Sequence, residues 1–221
     1  MAERGRAGAS AGAELDDEPE QEEVSSLAAV VPAAGLSRRM GREKILLPFG
    51  RSTLLETILE TLAAAGVTGV VAVLRPDLPE AADRARSRGA RVVFNPHPEE
   101  EMLESIRLGL REIPPEAEAV FIWPADHPAV SAGTVGVLAR FTDPARAFIP
   151  SFRSRRGHPA LVGRQLLPSI GEIPPGEGLR HLWRKKSGAV LEVPVEDAGV
   201  VRNVDTPDDY RKALEALALS S

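Results

Sequence analysis

The sequence predicts an α/β fold in which a mostly parallel β-sheet carries helices on both faces. Short apolar runs alternate along the chain with segments of helical periodicity, which is the pattern of consecutive βαβ units. Gly66 and Gly89 end two of the helical segments, as expected of residues that close helices. The chain has 221 residues, 43% hydrophobic and 27% charged, and this composition suits one ordinary folded domain.

The first half of the chain alternates strand and helix regularly. Residues 27–32 form an apolar run that leads into Ala-Ala-Gly, which is typical of a buried strand entering a turn. Residues 52–65 carry Leu55, Ile58, Leu59 and Leu62 at helical spacing. The alternation then continues as a strand, a helix, a strand and a helix over residues 67–74, 79–88, 90–94 and 101–111.

The second half begins regularly and becomes less so. It predicts a strand at 119–123, a helix at 131–141 with Ser131 as N-cap, and a strand at 147–150. Residues 160–163 and 189–194 have the composition of strands, and residues 178–186 that of a helix. A closing helix at 207–218 begins with Thr206 as N-cap and Pro207 at its first position.

A parallel sheet binds ligands beyond the carboxyl ends of its strands, so the segments that follow the strands are where a site is expected. Four such segments carry polar residues: the loop after Pro32, the segment from Asn95, the segment after Trp123 and the segment around Asp205.

Composition excludes several classes of function. The chain has no cysteine, which rules out disulfides, zinc–thiolate sites, iron–sulfur clusters and a cysteine nucleophile, and fits a cytoplasmic location. Its apolar runs are too short to span a bilayer, so no membrane association is expected. The net charge of −5 argues against a nucleic-acid partner, because a protein that binds nucleic acid needs a basic face.

The acidity is concentrated at the N-terminus. Residues 1–25 hold eight acidic residues and two arginines, a net charge of −6, so the rest of the chain carries +1. This segment has no aromatic residue and too little apolar surface to offset the entropy of ordering. We therefore predict a disordered acidic tail at 1–25 and a single domain at 26–221, with an acidic docking segment as the alternative for the tail.

The loop after the first strand carries the strongest functional signal. Ala33, Ala34 and Gly35 leave room for a ligand to lie against the backbone, whose amide groups can donate to phosphates. Basic side chains surround the same loop, and a triphosphate would supply the anions they need: Arg38, Arg39, Arg42 and Lys44. The loop is neither a Walker loop nor a dinucleotide Gly-x-Gly-x-x-Gly, which disfavours a nicotinamide oxidoreductase. A basic, solvated turn is the alternative.

Two aspartates follow other predicted strands or precede the last helix. Asp126 stands just past the apolar strand at 119–123, between Pro124 and Pro128, where a carboxylate can hold Mg²⁺ together with substrate phosphates. Asp205 precedes the closing helix, and stabilisation of that helix N-terminus is its alternative role. Together with the basic loop, the two acids indicate phosphoryl or nucleotidyl transfer.

Six segments of the chain resemble, in order, the motifs of the MobA-like nucleotidyltransferases. The first, Ala33-Ala34-Gly35-x-Ser37-x-Arg39-Met40-Gly41-x-x-Lys44, is specific, and its Ala-Ala-Gly resembles the molybdenum-cofactor cytidylyltransferase branch. The others resemble the family's base-binding, metal, acceptor-side and late motifs: Asn95 with Met102-x-x-Ser105, Pro124-Ala125-Asp126-His127-Pro128, Arg156-Gly157-His158-Pro159, and Gly178-Leu179-Arg180 with Asn203-Val204-Asp205-Thr206-Pro207.

The resemblance implies a Rossmann-like three-layer sandwich with a mostly parallel mixed sheet, the nucleotide-diphospho-sugar transferase fold. It implies catalytic roles for Arg39 and Lys44, which would neutralise the phosphates. It further implies that nucleotide is bound by Ala33, Ala34, Gly35, Ser37 and Ser105. Metal would be bound by Asp126 and Asp205, and the acceptor by His158 and Arg180. The metal would be Mg²⁺, with Mn²⁺ as an alternative.

The lead hypothesis that the resemblance supports is transfer of CMP from CTP to a phosphorylated small molecule, the molybdopterin cofactor, in the cytoplasm. The product would then pass to a molybdoenzyme or its chaperone. The alternatives are guanylyl transfer, nucleotidyl transfer to a sugar phosphate, and a non-catalytic nucleotide-binding regulator or cofactor chaperone. Lys44, Asp126 and Asp205 argue against the last, because a pure binder need not keep both acids.

Overall fold

The computed structural model describes residues 26–99, 101–141 and 143–219, and the predicted tail at 1–25 lies outside them. The strands within this part are β1 Leu27–Pro32, β2 Pro48–Phe49, β3 Ser52–Thr53, β4 Gly69–Leu74, β5 Arg91–Phe94, β6 Ala119–Ile122, β7 Ala147–Phe152, β8 Arg155–Arg156, β9 Ala160–Gly163 and β10 Val190–Pro194. The α-helices are α1 Leu54–Ala64, α2 Pro79–Ser87, α3 Met102–Leu110, α4 Ala132–Leu138, α5 Leu167–Gly171, α6 Leu179–Lys185 and α7 Pro207–Ala218.

The main sheet is mixed, with parallel pairing at its centre. Its strands lie in the order β10-β7-β9-β6-β1-β4-β5, and β8 pairs with β7. β1 pairs in parallel with both β4 and β6, and the β4–β5 and β7–β10 pairs are parallel too. β9 runs antiparallel to both its neighbours, β6 and β7. The predicted fold class, a mostly parallel mixed sheet between helices, is therefore confirmed.

The central strand β1 is buried on both faces, which explains why its sequence is an unbroken apolar run. Side chains of successive strand residues point to opposite faces. Leu27, Ala29 and Val31 belong to the core on one face of the sheet, and Ala28 and Val30 to the core on the other. Burial of both faces thus fixes the register of β1 in the middle of the sheet.

Helices cover both faces of the sheet, which gives three layers. The apolar residues of α1, α2 and α4 join the core that contains Leu27, Ala29 and Val31. Helices α3, α5 and α6 pack on the opposite face, over β6, β7 and β9. Helix α7 packs outside these layers, where Ala213 contacts a cluster that includes Met40 and Leu54. No helix among the described residues is long and apolar enough to cross a membrane.

The predicted elements agree with the observed ones to within a few residues. β1, β9 and α7 have the predicted bounds, and α4 ends at Leu138 rather than at residue 141. The sequence interpretation missed the short hairpin of β2 and β3, the two-residue strand β8 and the five-residue helix α5. These elements are too short to show a hydrophobic period.

Helix α3 approaches the sheet closely because Gly109 has no side chain. A Cβ added at Gly109 would lie 2.5 Å from Cγ1 of Val30 and 3.0 Å from Cγ2 of Val73. Real Cβ atoms do not come so close to a β-branched neighbour in a packed core, so the glycine sets the distance between α3 and strands β1 and β4. The same helix carries Ser105, and the glycine therefore also sets the depth of that residue.

We expect the substitution Gly109→Ala to destabilise the fold by about 1–3 kcal/mol, because the methyl group would overpack this interface. Gly136→Ala is the matched control, since Gly136 is also helical and a Cβ there would meet nothing within 4 Å. The control should be neutral or stabilise the protein by up to about 1 kcal/mol, given the higher helix propensity of alanine. Urea unfolding followed by circular dichroism measures both, and equal effects at the two glycines would contradict the packing argument.

Candidate active site

The carboxyl ends of β1, β4, β5 and β6 meet at one edge of the sheet because these strands are parallel. A cleft of about 520 Å³ opens there. Nine of the eleven residues that the sequence singled out line it: Ala33, Ala34, Gly35, Ser37, Arg39, Lys44, Ser105, Asp126 and Asp205. The other two, His158 and Arg180, line a neighbouring cavity.

The loop after β1 presents its backbone to this cleft. The N–H of Ala33 still donates to the carbonyl of Val73, at 2.8 Å. Beyond it, the N–H groups of residues 34–37 donate to no atom of the described residues. Ser37 has a φ of 48°, and this left-handed turn starts a short 3₁₀ segment that ends at Gly41. Successive free amides around such a turn form a concave donor surface that suits a polyphosphate.

Two cations face an acid across the cleft. The Nζ of Lys44 lies 3.3 Å from Oδ1 of Asp205, and an Nη of Arg39 lies 3.1 Å from Oδ2. Asn203 donates to the same Oδ2 from its side-chain amide, at 2.8 Å. The Lys44 side chain is 15% exposed, whereas that of Arg39 is 69% exposed. Lys44 is therefore the less screened of the two charges, and its attraction for an anion in the cleft is the stronger.

Asp126 is the second acid of the cleft, and its carboxylate is held ionised. Burial alone would raise its pKa, but the hydrogen bond from Nδ1 of His127, at 2.7 Å, opposes that effect. Electrostatic interactions with His127, Lys44 and His158 act in the same direction, and the pKa falls to about 2. Asp126 thus carries a negative charge at neutral pH.

A backbone hydrogen bond brings the two acidic segments together. The N–H of Val204 donates to the carbonyl oxygen of Asp126, at 2.7 Å, so Asp205 follows directly on a residue tied to Asp126. The segment that carries Asp126 is fixed to the sheet as well, because Ala125 donates to Pro32 and the indole of Trp123 donates to the carbonyl of His127. Residues 79 positions apart in sequence therefore share one wall of the cleft.

The donor set fits a magnesium ion better than a transition metal. No group of three or more His, Cys, Asp and Glu side chains with the spacing of a metal centre occurs among the described residues. Two carboxylates that line one cleft, Asp126 and Asp205, do occur there. Mg²⁺ is commonly bound by one or two carboxylates, with substrate phosphates and water completing its shell.

Ser105 and Asn95 form a buried polar pair at the other side of the cleft. Asn95, 2% exposed, donates from its side-chain amide to Oγ of Ser105, at 3.0 Å. The Oδ1 of Asn95 accepts from the N–H of His97, which fixes the orientation of the amide. Because the Oγ of Ser105 already accepts a hydrogen bond, its O–H is free to donate into the cleft. Asn95 was identified from its motif, whereas its hydrogen bond with Ser105 is seen only in the structure.

His158 and Arg180 line a second cavity of about 620 Å³, which shares Met102 and Asp126 with the first. Apolar and cationic side chains line it together: Leu103, Ile106, Ile149, Leu179, Trp183, Arg156, Arg180 and Arg184. The cavities meet at Asp126, so a molecule in the second cavity reaches the wall that carries the first acid. The structure thus brings all eleven candidates to two connected cavities.

His158 is held in its neutral form at the floor of the second cavity. Its Nδ1 is excluded from solvent and finds no hydrogen-bond partner among the described atoms. Its ring lies 4.7 Å from the ring of His127. Burial lowers the pKa of His158 to about 4, and the positive charges of His127 and Arg180 add to the effect, against the charge of Asp126.

The loop that carries His158 is seated on the turn before the last helix. The N–H of His158 donates to the carbonyl of Val200, at 2.8 Å. A Cβ on the neighbouring Gly157 would lie 2.1 Å from the same carbonyl oxygen, so only glycine allows this approach. The same stretch continues to Val204 and Asp205, and the loop that carries His158 is therefore coupled in position to the second acid.

Comparison with known proteins gives a family match and several relatives. The MobA-like NTP transferase domain matches residues 29–190. The nicotine blue oxidoreductase of Paenarthrobacter nicotinovorans is 29% identical over 84% of this chain and 95% of its own length. The molybdenum cofactor cytidylyltransferase of Escherichia coli strain K12 is 25% identical over 87% and 97%. A probable molybdenum cofactor guanylyltransferase of Methanosarcina mazei is 33% identical over 69% and 70%.

Solved structures share the fold. The Mycobacterium tuberculosis H37Rv protein Rv0371c superposes with a TM-score of 0.74 at 26% identity, covering 87% of this chain and 99% of that one. A nucleotidyl transferase from Methanothermobacter thermautotroptrophicus superposes with a TM-score of 0.78, covering 89% and 99%, and at 23% identity it supports the fold alone.

We expect the ring of His158 to titrate with a midpoint near pH 4, well below its ordinary value of 6.5. Because the folded pKa is lowered, the neutral ring's contribution to stability is complete above pH 6.5 and is lost as the pH falls from 6.5 towards 4. NMR of the histidine ring signals measures the midpoint. The variant Arg180→Gln should raise it, since a neighbouring positive charge is removed. A wild-type midpoint near 6.5 would show that the ring is solvated.

Proposed function

The chain belongs to the MobA-like NTP transferase family, and from this membership and the geometry of the cleft we propose that it transfers CMP from CTP to the molybdopterin cofactor and releases pyrophosphate. Membership places the chain among the nucleotidyltransferases, and relatives linked to molybdenum cofactor biosynthesis support the choice of pathway. The base, the acceptor and the metal are the parts that we add as proposals.

One observation carries the proposal: unpaired backbone amides, two cations and two carboxylates converge on a single cleft beside a second cavity. Amides and cations bind a polyphosphate, and carboxylates bind the cation that accompanies it. An oxygen of the acceptor's phosphate would attack the α-phosphorus of CTP as the bond from that phosphorus to the bridging oxygen breaks. The electron pair leaves with pyrophosphate, and no protein nucleophile is required.

Lys44 and Arg39 would neutralise the charge that develops during this transfer. In the protein alone, both pair with Asp205. When the triphosphate binds, its oxygens compete with Asp205 for these cations. Lys44, the more buried of the two, is the better placed to stabilise charge on the α-phosphate, because the effective dielectric constant around it is lower. The free amides of residues 34–37 would bind the same phosphates from the loop side.

Asp126 and Asp205 would hold the metal, for which we propose Mg²⁺, with Mn²⁺ as an alternative. When bound, such an ion supplies charge neutralisation at the phosphate oxygens and orients the leaving pyrophosphate. Asp126 suits this role because its carboxylate is ionised and the hydrogen bond from His127 holds it in place.

Ser105 and the small loop residues would select the base. The hydroxyl of Ser105 is oriented by Asn95 and can donate to an acceptor on the base edge. Ala34 adds a methyl group to the loop and belongs to the Ala-Ala-Gly that resembles the cytidylyltransferase branch, which favours the smaller pyrimidine. The lead is therefore CTP rather than GTP, and guanylyl transfer is the alternative that the archaeal relative represents.

The second cavity would bind the acceptor. Arg180 and His158 line it, and its wall continues to Asp126, so a phosphate there can approach the α-phosphorus. The apolar side chains of Trp183 and Leu179 suit a bulky, flat body better than a sugar with many hydroxyl groups. We propose that reaction takes place in the cytoplasm and that the product passes to a molybdoenzyme or its chaperone.

We expect pyrophosphate release when the protein, Mg²⁺, CTP and reduced molybdopterin cofactor are combined. The same assay with GTP, ATP and UTP, and with a sugar phosphate as acceptor, separates the alternatives. Release only with GTP or only with the sugar phosphate would replace the lead by the corresponding transferase. Binding of NTP without release in any mixture would support a regulator, and consumption of NADPH with an oxidised dye would support an oxidoreductase like the Paenarthrobacter relative.

We expect Asp126→Asn to lower kcat roughly 100-fold or more, because the amide keeps the shape of the carboxylate but loses its charge towards the metal and phosphates. Asp83→Asn is the control, since among the described residues Asp83 pairs with Arg86 alone, on the exposed side of α2. Circular dichroism should show both variants folded, with Asp126→Asn melting at a lower temperature because the ionised carboxylate stabilises the folded state at neutral pH. Full activity of Asp126→Asn would remove this residue from the metal site.

A further inference from the structure

A buried arginine lies directly behind the loop that presents its amides to the cleft. Arg75 follows the last residue of β4 and is 8% exposed, although it carries a full charge. It does not line the cleft, and no part of the motif pattern includes it. A buried guanidinium requires several hydrogen-bond acceptors to offset its desolvation, and the identity of these acceptors shows what it fixes.

Arg75 contacts both ends of the loop after β1 and one acidic residue of its own segment. One Nη donates to the carbonyl oxygen of Gly35 at 3.1 Å, the other donates to Oε2 of Glu43 at 2.8 Å, and Nε donates to Oδ1 of Asp77 at 2.9 Å. Gly35 and Glu43 lie at the two ends of the loop that surrounds the cleft. Asp77, which is largely exposed, completes the set from the solvent side.

The contact with Glu43 continues to the backbone of Lys44. Oε1 of Glu43 accepts from the hydroxyl of Ser37 at 3.1 Å, and the Oγ of Ser37 accepts from the N–H of Lys44 at 3.1 Å. Ser37 adopts the left-handed conformation that L-residues rarely take, so it needs such surroundings to hold it. The chain Arg75–Glu43–Ser37–Lys44 thus fixes both the strained turn and the start of the Lys44 side chain.

The contact with Gly35 determines the direction of one peptide group. Within the described part of the chain only the His158–Pro159 bond is cis, so the Gly35–Leu36 peptide is trans. In a trans peptide the carbonyl and the N–H point in opposite directions. Because the Gly35 carbonyl points back to Arg75, the N–H of Leu36 points away from Arg75, and Leu36 is one of the residues that line the cleft.

We infer that Arg75 is a positioning residue for the polyphosphate: it holds the Gly35–Leu36 peptide so that the Leu36 N–H donates to a phosphate oxygen, and through Glu43 it holds the turn that leads to Lys44. The inference rests on the proposed function in that the bound group is the polyphosphate of a nucleotide. It adds to that function a residue that contacts neither nucleotide nor acceptor. The interaction that we infer is the binding of an anion by oriented backbone amides, and it does not depend on the base of the nucleotide.

An ion pair that joins helix α1 to the end of α2, away from the loop after β1, provides a matched control. Glu56 is a buried carboxylate on α1 that binds Arg84 and Arg88, at 3.3 and 3.1 Å, and none of the three lines the cleft. Arg88 also pairs with Glu60. Arg88→Lys therefore weakens an ion pair between an arginine and a buried carboxylate without touching the loop after β1.

The first experiment titrates inorganic pyrophosphate, without added divalent metal, into the wild type, Arg75→Lys and Arg88→Lys. Lysine keeps the charge at residue 75 but cannot contact Gly35, Glu43 and Asp77 at once. We expect Arg75→Lys to weaken pyrophosphate binding about tenfold, the effect of losing one well-directed hydrogen bond to a charged group. Arg88→Lys should bind as the wild type does. Unchanged affinity in Arg75→Lys, or an equal loss in both variants, overturns the inference.

The second experiment uses the wild type alone and does not depend on how any variant folds. In an amide-resolved NMR titration with pyrophosphate, the Leu36 N–H signal should shift downfield as it donates to the anion, and an unmoved Leu36 signal overturns the inference. Neither measurement requires turnover. A wild type that binds pyrophosphate through Leu36 but transfers no nucleotide would refute the proposed function and leave the role of Arg75 standing.

Discussion

Parallel pairing of β1 with both β4 and β6 is the constraint on which the cleft depends. It directs the loops after three strands to one edge of the sheet, where the amides after Pro32, Arg75 after β4 and Asp126 after β6 become neighbours. The pairing is itself fixed by burial, since a one-residue slip of β1 would exchange the side chains of two apolar cores. Hydrophobic packing thus determines the positions of charged groups that belong to neither apolar core.

The remaining part of the site comes from the irregular half of the chain, through β9. This strand runs antiparallel between β6 and β7, so the loop that precedes it ends at the same edge as Asp126. The loop meets the turn at residues 198–201 through its backbone, and that turn leads to Asp205. The loop that carries His158 and the segment that carries Asp205 therefore reach the cleft together, after a reversal of strand direction.

The fold class and most elements were predictable, because strands such as β1 and helices such as α1 have clear hydrophobic periods. The composition of the cleft was predictable too, since Lys44, Asp126 and Asp205 stand in motifs. The reversal of β9 was not, because four apolar residues carry no information about direction. Arg75 and Glu43 were missed for another reason: their contact joins residues 32 positions apart, and only the packed loop shows that a charge after β4 faces a loop after β1.

The ties between the acidic segments and the acceptor-side loop run from backbone to backbone, from Val204 to Asp126 and from His158 to Val200. A backbone hydrogen bond does not depend on which side chains are attached. The exception is Gly157, where any Cβ would collide with Val200. Lining residues such as Leu103, Leu179 and Trp183 can consequently be exchanged while the acids keep their places. The lining of the second cavity can thus change shape and charge independently of the two carboxylates, whose positions depend on the backbone.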